Sequence, residues 1–175
     1  MSGRSADAGA NRRGLIVHKL LQLLPDLVPE ERGGAAGRLI AAMAPDLPPD
    51  EAAALGREVL AILAQPEFAP VFGPGSRAEQ AICGTVAGRS VVGQIDRLVV
   101  TPAEVLVVDL KSNRHPPGTP EATPRAYLAQ LATYRALLRR LYPGRRVRAA
   151  LLWTSAPRLD QLPDALLDRH APEPP

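Results

Sequence analysis

The sequence predicts an α/β fold: a mixed sheet with flanking helices, set behind a helical N-terminal part. Three observations carry this. Two apolar, β-branched runs, Val91–Val100 and Val105–Leu110, are separated by Thr101-Pro102-Ala103-Glu104, which is the pattern of a β-hairpin. Pro124 to Leu141 places Leu128, Leu131, Tyr134, Leu138 and Leu141 on one helical stripe. A further apolar run, Val147–Trp153, follows that helix. An antiparallel hairpin plus a strand reached by a helical crossover makes a mixed sheet covered by a helix.

The bulk properties narrow the class. The chain has 175 residues, 46% of them apolar, enough for one domain with a real core. Its net charge of +3 and pI near 9.5 allow a polyanionic partner without demanding one. A single cysteine, Cys83, excludes an intramolecular disulfide and a cysteine-rich zinc site, and it fits a reducing compartment. No apolar run reaches the ~18 residues of a membrane span. The polar start MSGRSADAGANRRG has no apolar signal core, so the expected location is the cytoplasm.

In chain order, residues 1–13 read as a disordered lead and 14–168 as one domain, with a helical part over 14–65 and a sheet core with its covering helix over 78–168. Gly14–Leu24 has helical apolar spacing and stops at Pro25. His18 lies on this helix, where spacing alone makes it an ordinary, partly exposed histidine. Gly33–Met43 and Pro48–Ala64 read as two more helices, with Asp50 as an N-cap for the latter. Gln65–Arg77 is rich in proline and glycine and reads as a loop. Glu79–Ala87 is a first strand, and Glu79 either points at a site from its start or is a solvated edge residue. Ser112–Thr123 is a proline-rich loop carrying an exposed His115. Thr123 reads as the N-cap of the long helix, with Pro124 in its first turn. On that helix Gln130 and Tyr134 are four apart and share a face. Gln130 there is either a tolerated surface amide or has a polar task. Leu159–Leu167 reads as a closing helix, and 169–175 as a disordered tail.

The chemistry gathers on the hairpin. A strand has a side-chain period of two, so Asp109 and Lys111 point to one face and Leu110 to the other. Asp96 on the paired strand can converge on that face. Carboxylates in an apolar sheet are costly unless paired or metal-bound. The plain alternative is a buried Asp–Lys ion pair that braces the sheet. The functional reading is a magnesium site, with manganese as a substitute, because a hard cation needs only one or two carboxylates and keeps several waters. The Leu110 carbonyl could add a ligand, and Lys111 could orient the attacking water and neutralise developing charge. Phosphodiester hydrolysis follows from that set.

Taken together, Gly93-Gln94-Ile95-Asp96-Arg97, Asp109-Leu110-Lys111 and Gln130-x-x-x-Tyr134 resemble the PD-(D/E)xK nuclease superfamily, more narrowly its RecB-like branch. The stretch Arg13 to Leu21 resembles the helix that carries a metal-binding histidine in that branch. VVDLKSNR, YLAQLATYRALL and ALLWT are similar to the C-terminal nuclease domain of the AddA helicase–nuclease family, which repairs double-strand breaks. The resemblance runs from Arg13 to about Asp168. It implies a restriction-endonuclease-like fold and a magnesium-dependent deoxyribonuclease. By the resemblance His18, Asp96 and Asp109 are metal ligands, with Glu79 a weaker match. Asp96, Asp109 and Lys111 are catalytic, and Gln130 and Tyr134 position DNA and the active site. Arg97 and Arg114 are further candidates for DNA contact, with Arg125 and the Arg145–Arg148 run behind them. The implied partners are DNA and a helicase portion or AddB-like subunit. No Gly-x-x-x-x-Gly-Lys-Ser/Thr loop occurs in the chain. The rival reading is a non-catalytic DNA-binding or assembly module that keeps the nuclease fold.

Overall fold

The structure, a computed structural model, describes residues 3–172, with side chains described from Arg12 onward. The chain divides into two compact units, residues 1–72 and 73–175.

The first unit is helical: α1 (Gly3–Leu23), α2 (Pro29–Met43), α3 (Pro49–Ala64) and the single turn α4 (Ala69–Phe72). Its core holds Ile16, Val17, Leu20 and Leu21 of α1, Ala36 and Ile40 of α2, and Val59 and Ile62 of α3, all buried. α1 is bounded at Gly3, and of the expected disordered lead only Arg12 and Arg13 have described side chains, both on this helix. Arg12 also grips Asp46, with one bond of 2.7 Å, and Arg13 pairs with Glu58. Residues 1 and 2 lie outside the described residues. α3 begins at Pro49 with Pro48 as N-cap and no side-chain cap bond, so Asp50 is a first-turn acid instead. The expected loop 65–77 carries a 3-10 turn (Pro66–Phe68) and α4, which bury Phe68 and Val71.

The second unit is a five-stranded sheet in the order β1-β2-β3-β4-β5: β1 (Ser76–Val86), β2 (Arg89–Val100), β3 (Glu104–Lys111), β4 (Arg146–Trp153) and β5 (Arg158–Leu162). All neighbours are antiparallel except β3 and β4, which run parallel. The crossover between those two is α5 (Arg125–Leu141). This is the mixed α/β sheet with flanking helices that the sequence predicts. β1 and β2 join through Ala87 and Gly88, both at positive φ (50° and 74°), as a tight hairpin turn requires.

Leu128, Leu131, Leu137 and Leu138 of α5 pack on Ile82, Ile95, Leu98, Val105, Val107, Val147 and Leu151 of the sheet. Two glycines allow this approach: a Cβ at Gly84 would stand 2.7 Å from Leu137, and one at Gly93 would stand 2.7 Å from Tyr134 Cε1. Thr123 is not the cap expected of it. Pro124 holds the N-cap position and no side chain caps α5.

The expected closing helix 159–167 is also corrected. Pro163 would fall in its interior, removing a helical N–H and clashing with the preceding turn. Residues 158–162 therefore form β5, a fifth strand, and Pro163 caps the short helix α6 (Asp164–Asp168). Arg135 of α5, 2% exposed, holds α6 through Asp164 (2.7 Å) and Asp168. Of the expected disordered tail, residues 169–172 form a turn and a bend, and 173–175 lie outside the described residues.

Candidate active site

The regular sheet breaks at Asp96. The β2–β3 ladder pairs Val100↔Val105 through Arg97↔Val108 and then stops. Continuing that register puts Asp109 across from Asp96. On the other side, Ala78↔Arg97 and Gln80↔Ile95 pair, while Glu79, across from Asp96, is left out and has a φ of 52°. A left-handed glutamate inside a strand is strained backbone of the kind found at functional sites. Ile95 and Leu98, three residues apart, both face the core under α5. Strict alternation would put them on opposite faces, so β2 shifts its facing by one residue at Asp96–Arg97.

That irregularity aims Asp96 into the gap between β2 and β3. Its Oδ2 accepts a hydrogen bond from the Leu110 backbone N–H at 2.7 Å, replacing the carbonyl that a continued ladder would have offered. A strand residue points its N–H and C=O to the same edge, so the Leu110 carbonyl faces this gap too. Its neighbour confirms the alternation: the Lys111 carbonyl turns the other way and accepts from Thr154 N–H at 2.8 Å.

Burial and the facing Asp109 carboxylate push the Asp96 carboxyl up to about 6; the Leu110 N–H and Lys111 oppose the shift, and Glu79 adds to it. Asp109 is buried, 4% exposed, and its Oδ2 forms an ion pair with Lys111 Nζ. A buried carboxylate whose partner is a single lysine, beside a second carboxylate that resists ionisation, suits a hard divalent cation. Among the described residues no three His, Cys, Asp or Glu side chains are grouped to hold a metal ion. The ligand set offered is therefore two carboxylates and a strand carbonyl, with water left to complete the shell.

Lys111 is set between groups. Asp109 holds its ammonium on one side, and the Tyr127 ring of α5 lies beneath it, 4.4 Å from Nζ to the ring centroid. Gln130 donates to the Tyr134 hydroxyl at 3.3 Å, so this pair acts as one polar unit on the face of α5 that meets Gly93. The loop after Lys111 is fastened to the β4–β5 hairpin: Ser155 donates to the Asn113 carbonyl and Arg158 to the Pro117 carbonyl.

The structure thus brings Asp96, Asp109, Lys111 and the Leu110 backbone together, with Glu79 close enough to act on Asp96. Arg97 is a correction. It is 1% exposed, because the facing shift turns it onto a fully buried side of the sheet, and it offers nothing to a DNA backbone. Arg114 and Arg125 are exposed, as DNA contact requires, while Arg148 is engaged with Glu104 at 3.3 Å and Arg145 with the Thr101 carbonyl at 2.9 Å. His18 is half-buried on α1, in the first unit. Sequence reasoning missed Tyr127 and Asn113. Tyr127 precedes Gln130 by one helical turn, but an aromatic there reads equally as core.

A family model described as the PD-(D/E)XK nuclease superfamily matches residues 3–171 of this chain. No curated protein matches it. A solved structure titled "Crystal structure of SSO0001" is similar at 13% identity and a TM-score of 0.38, covering 89% of this chain and 81% of that one. No helix among the described residues is long and apolar enough to cross a membrane.

Proposed function

The chain belongs to the PD-(D/E)XK nuclease superfamily, and we propose that it is a magnesium-dependent deoxyribonuclease of the RecB-like branch, serving as the nuclease part of a helicase–nuclease in double-strand break repair. One observation carries the reading. Asp96 and Asp109 converge where the β2–β3 ladder ends, with Lys111 bound to Asp109. An ion pair that merely braced the sheet would not need the second carboxylate or the break in pairing.

Asp96, Asp109 and the Leu110 carbonyl would hold the cation, with manganese able to replace magnesium. A bound divalent ion supplies Lewis-acid polarisation of the phosphodiester and a water of lowered pKa. Lys111 presents a fixed ammonium where negative charge develops on the phosphoryl oxygens and orients the attacking water. Gln130 and Tyr134 position the strand, and Arg114 and Arg125 contact its phosphates. The role of His18 as a further ligand rests on the likeness of the α1 sequence. A helicase portion or AddB-like partner would unwind duplex and feed single strands to the site. ATP is fuel for that motor, so the chain alone cuts without it.

The test is cleavage of linear duplex and single-stranded DNA with magnesium or EDTA, with and without ATP, across a salt series. We expect slow, magnesium-dependent cutting that favours ends and single strands and ignores ATP. Duplex binding should weaken with salt, by about 0.9 log unit per log salt for each phosphate contact. No cleavage with magnesium or manganese, together with retained DNA binding, would establish the non-catalytic module instead.

A further inference from the structure

We propose that Tyr127 is a positioning residue for Lys111: its ring face, together with the Asp109 carboxylate, fixes the ammonium in its working place. The inference rests on the reading above only in taking Lys111 as the group that acts on the substrate. Three observations support it. The Lys111 Nζ lies 4.4 Å from the Tyr127 ring centroid while paired to Asp109, so the cation has two attractive partners. The ring is itself fixed. Its hydroxyl donates to Asn113 Oδ1 at 3.3 Å, and its plane leans at 48° on Trp153, centroids 6.4 Å apart. Trp153 is the β4 partner of Lys111 in register, is fully buried, and donates its indole N–H to Asp160 at 2.7 Å. Arg158 clamps that same Asp160 through two bonds of 2.7 Å.

A lysine needs such a seat. Its ammonium sits on four flexible carbons, and a catalytic cation works only if it waits in one place. Asp109 alone cannot provide this. If it also binds a metal, its pull on the lysine is shared, whereas the ring is a partner that the metal does not compete for. The aromatic face holds a cation without a proton acceptor, so it restrains Lys111 and leaves its N–H donors for the substrate.

The chain makes the test direct, because it contains only two lysines, Lys19 and Lys111. With [13Cε]lysine the protein gives two cross-peaks, assigned with Lys19→Arg. A Cε beside a ring face is shifted upfield by the ring current. We expect the Lys111 peak upfield of the Lys19 peak in the wild type and in Tyr127→Phe, and at the ordinary position in Tyr127→Leu. In cleavage, Tyr127→Leu should lose about tenfold in kcat with KM for DNA and the magnesium requirement unchanged, and Tyr127→Phe should keep wild-type turnover. An unshifted Lys111 peak in the wild type overturns the proposal without any variant, as does an unmoved shift or unchanged kcat in Tyr127→Leu. If the shifts behave as expected and no variant of the chain cuts DNA, the seat of Lys111 stands and only the hydrolytic reading falls.

Discussion

The Asp96 carboxylate takes the Leu110 backbone N–H at 2.7 Å, so a side chain from β2 completes the hydrogen bonding of β3 where the ladder between them ends. One bond thereby links the strand register to the chemistry. It orients Asp96 toward Asp109 and marks the point where the sheet stops being a scaffold.

That placement sets a pH dependence. The Asp96 pKa is raised in the folded chain from 3.8 to about 6, so folding favours the protonated acid. Its contribution to stability is full below about pH 4 and is lost as pH rises through 6. Asp96→Asn keeps an acceptor for Leu110 N–H and removes the charge. In EDTA it should be more stable than the wild type at pH 8, by up to roughly 3 kcal/mol, with the gap closing toward pH 4. Urea titrations at the two pH values measure this; an equal gap at both would refute the burial of a strained carboxylate.

Lys111→Ala should abolish cleavage by roughly 100- to 1000-fold. It should also destabilise, because Asp109 would stay buried without its cation. The double variant Asp109→Asn/Lys111→Met should recover the melting temperature and none of the activity. Recovered activity would mean that the pair only braces the sheet.

Gly93→Ala should fail locally. Its Cβ would meet Tyr134 at Cε1 and the hydroxyl, forcing the ring from Gln130. The expected cost is about 1 to 3 kcal/mol, with cleavage lowered further than the unfolded fraction explains. Thermal melts and single-turnover rates on the same samples decide; full activity would remove the Gln130–Tyr134 pair from the site.

Asp164→Asn/Asp168→Asn should cost about 2 kcal/mol by stripping both carboxylates from the buried Arg135. Activity per folded molecule should be unchanged, since the clamp joins α5 to α6 and touches no catalytic group. A lowered kcat at full folding would show that α6 sets the position of α5 over the site.

His18→Ala should raise the magnesium concentration for half-maximal cleavage and leave the maximal rate nearly intact. Calorimetric titration of both proteins with manganese is the check, and identical affinities would return His18 to the role of a plain helix residue.

The sequence by itself determined the elements whose apolar pattern is local. β2, β3, β4 and α5 follow from periods of two and 3.6, and Asp109 and Lys111 share a face for the same reason. It mistook the end of the sheet for a helix, although Pro163 carried the signal. Tertiary structure alone decided the rest. Arg97 reads as a surface cation but is buried, because β2 shifts its facing beside it. Glu79 adopts φ 52° across from Asp96, and Tyr127 comes to lie under Lys111. Each of these depends on register between strands or on the approach of α5 to the sheet. Such contacts join residues distant in the chain, and their energies come from packing and desolvation rather than from any local preference.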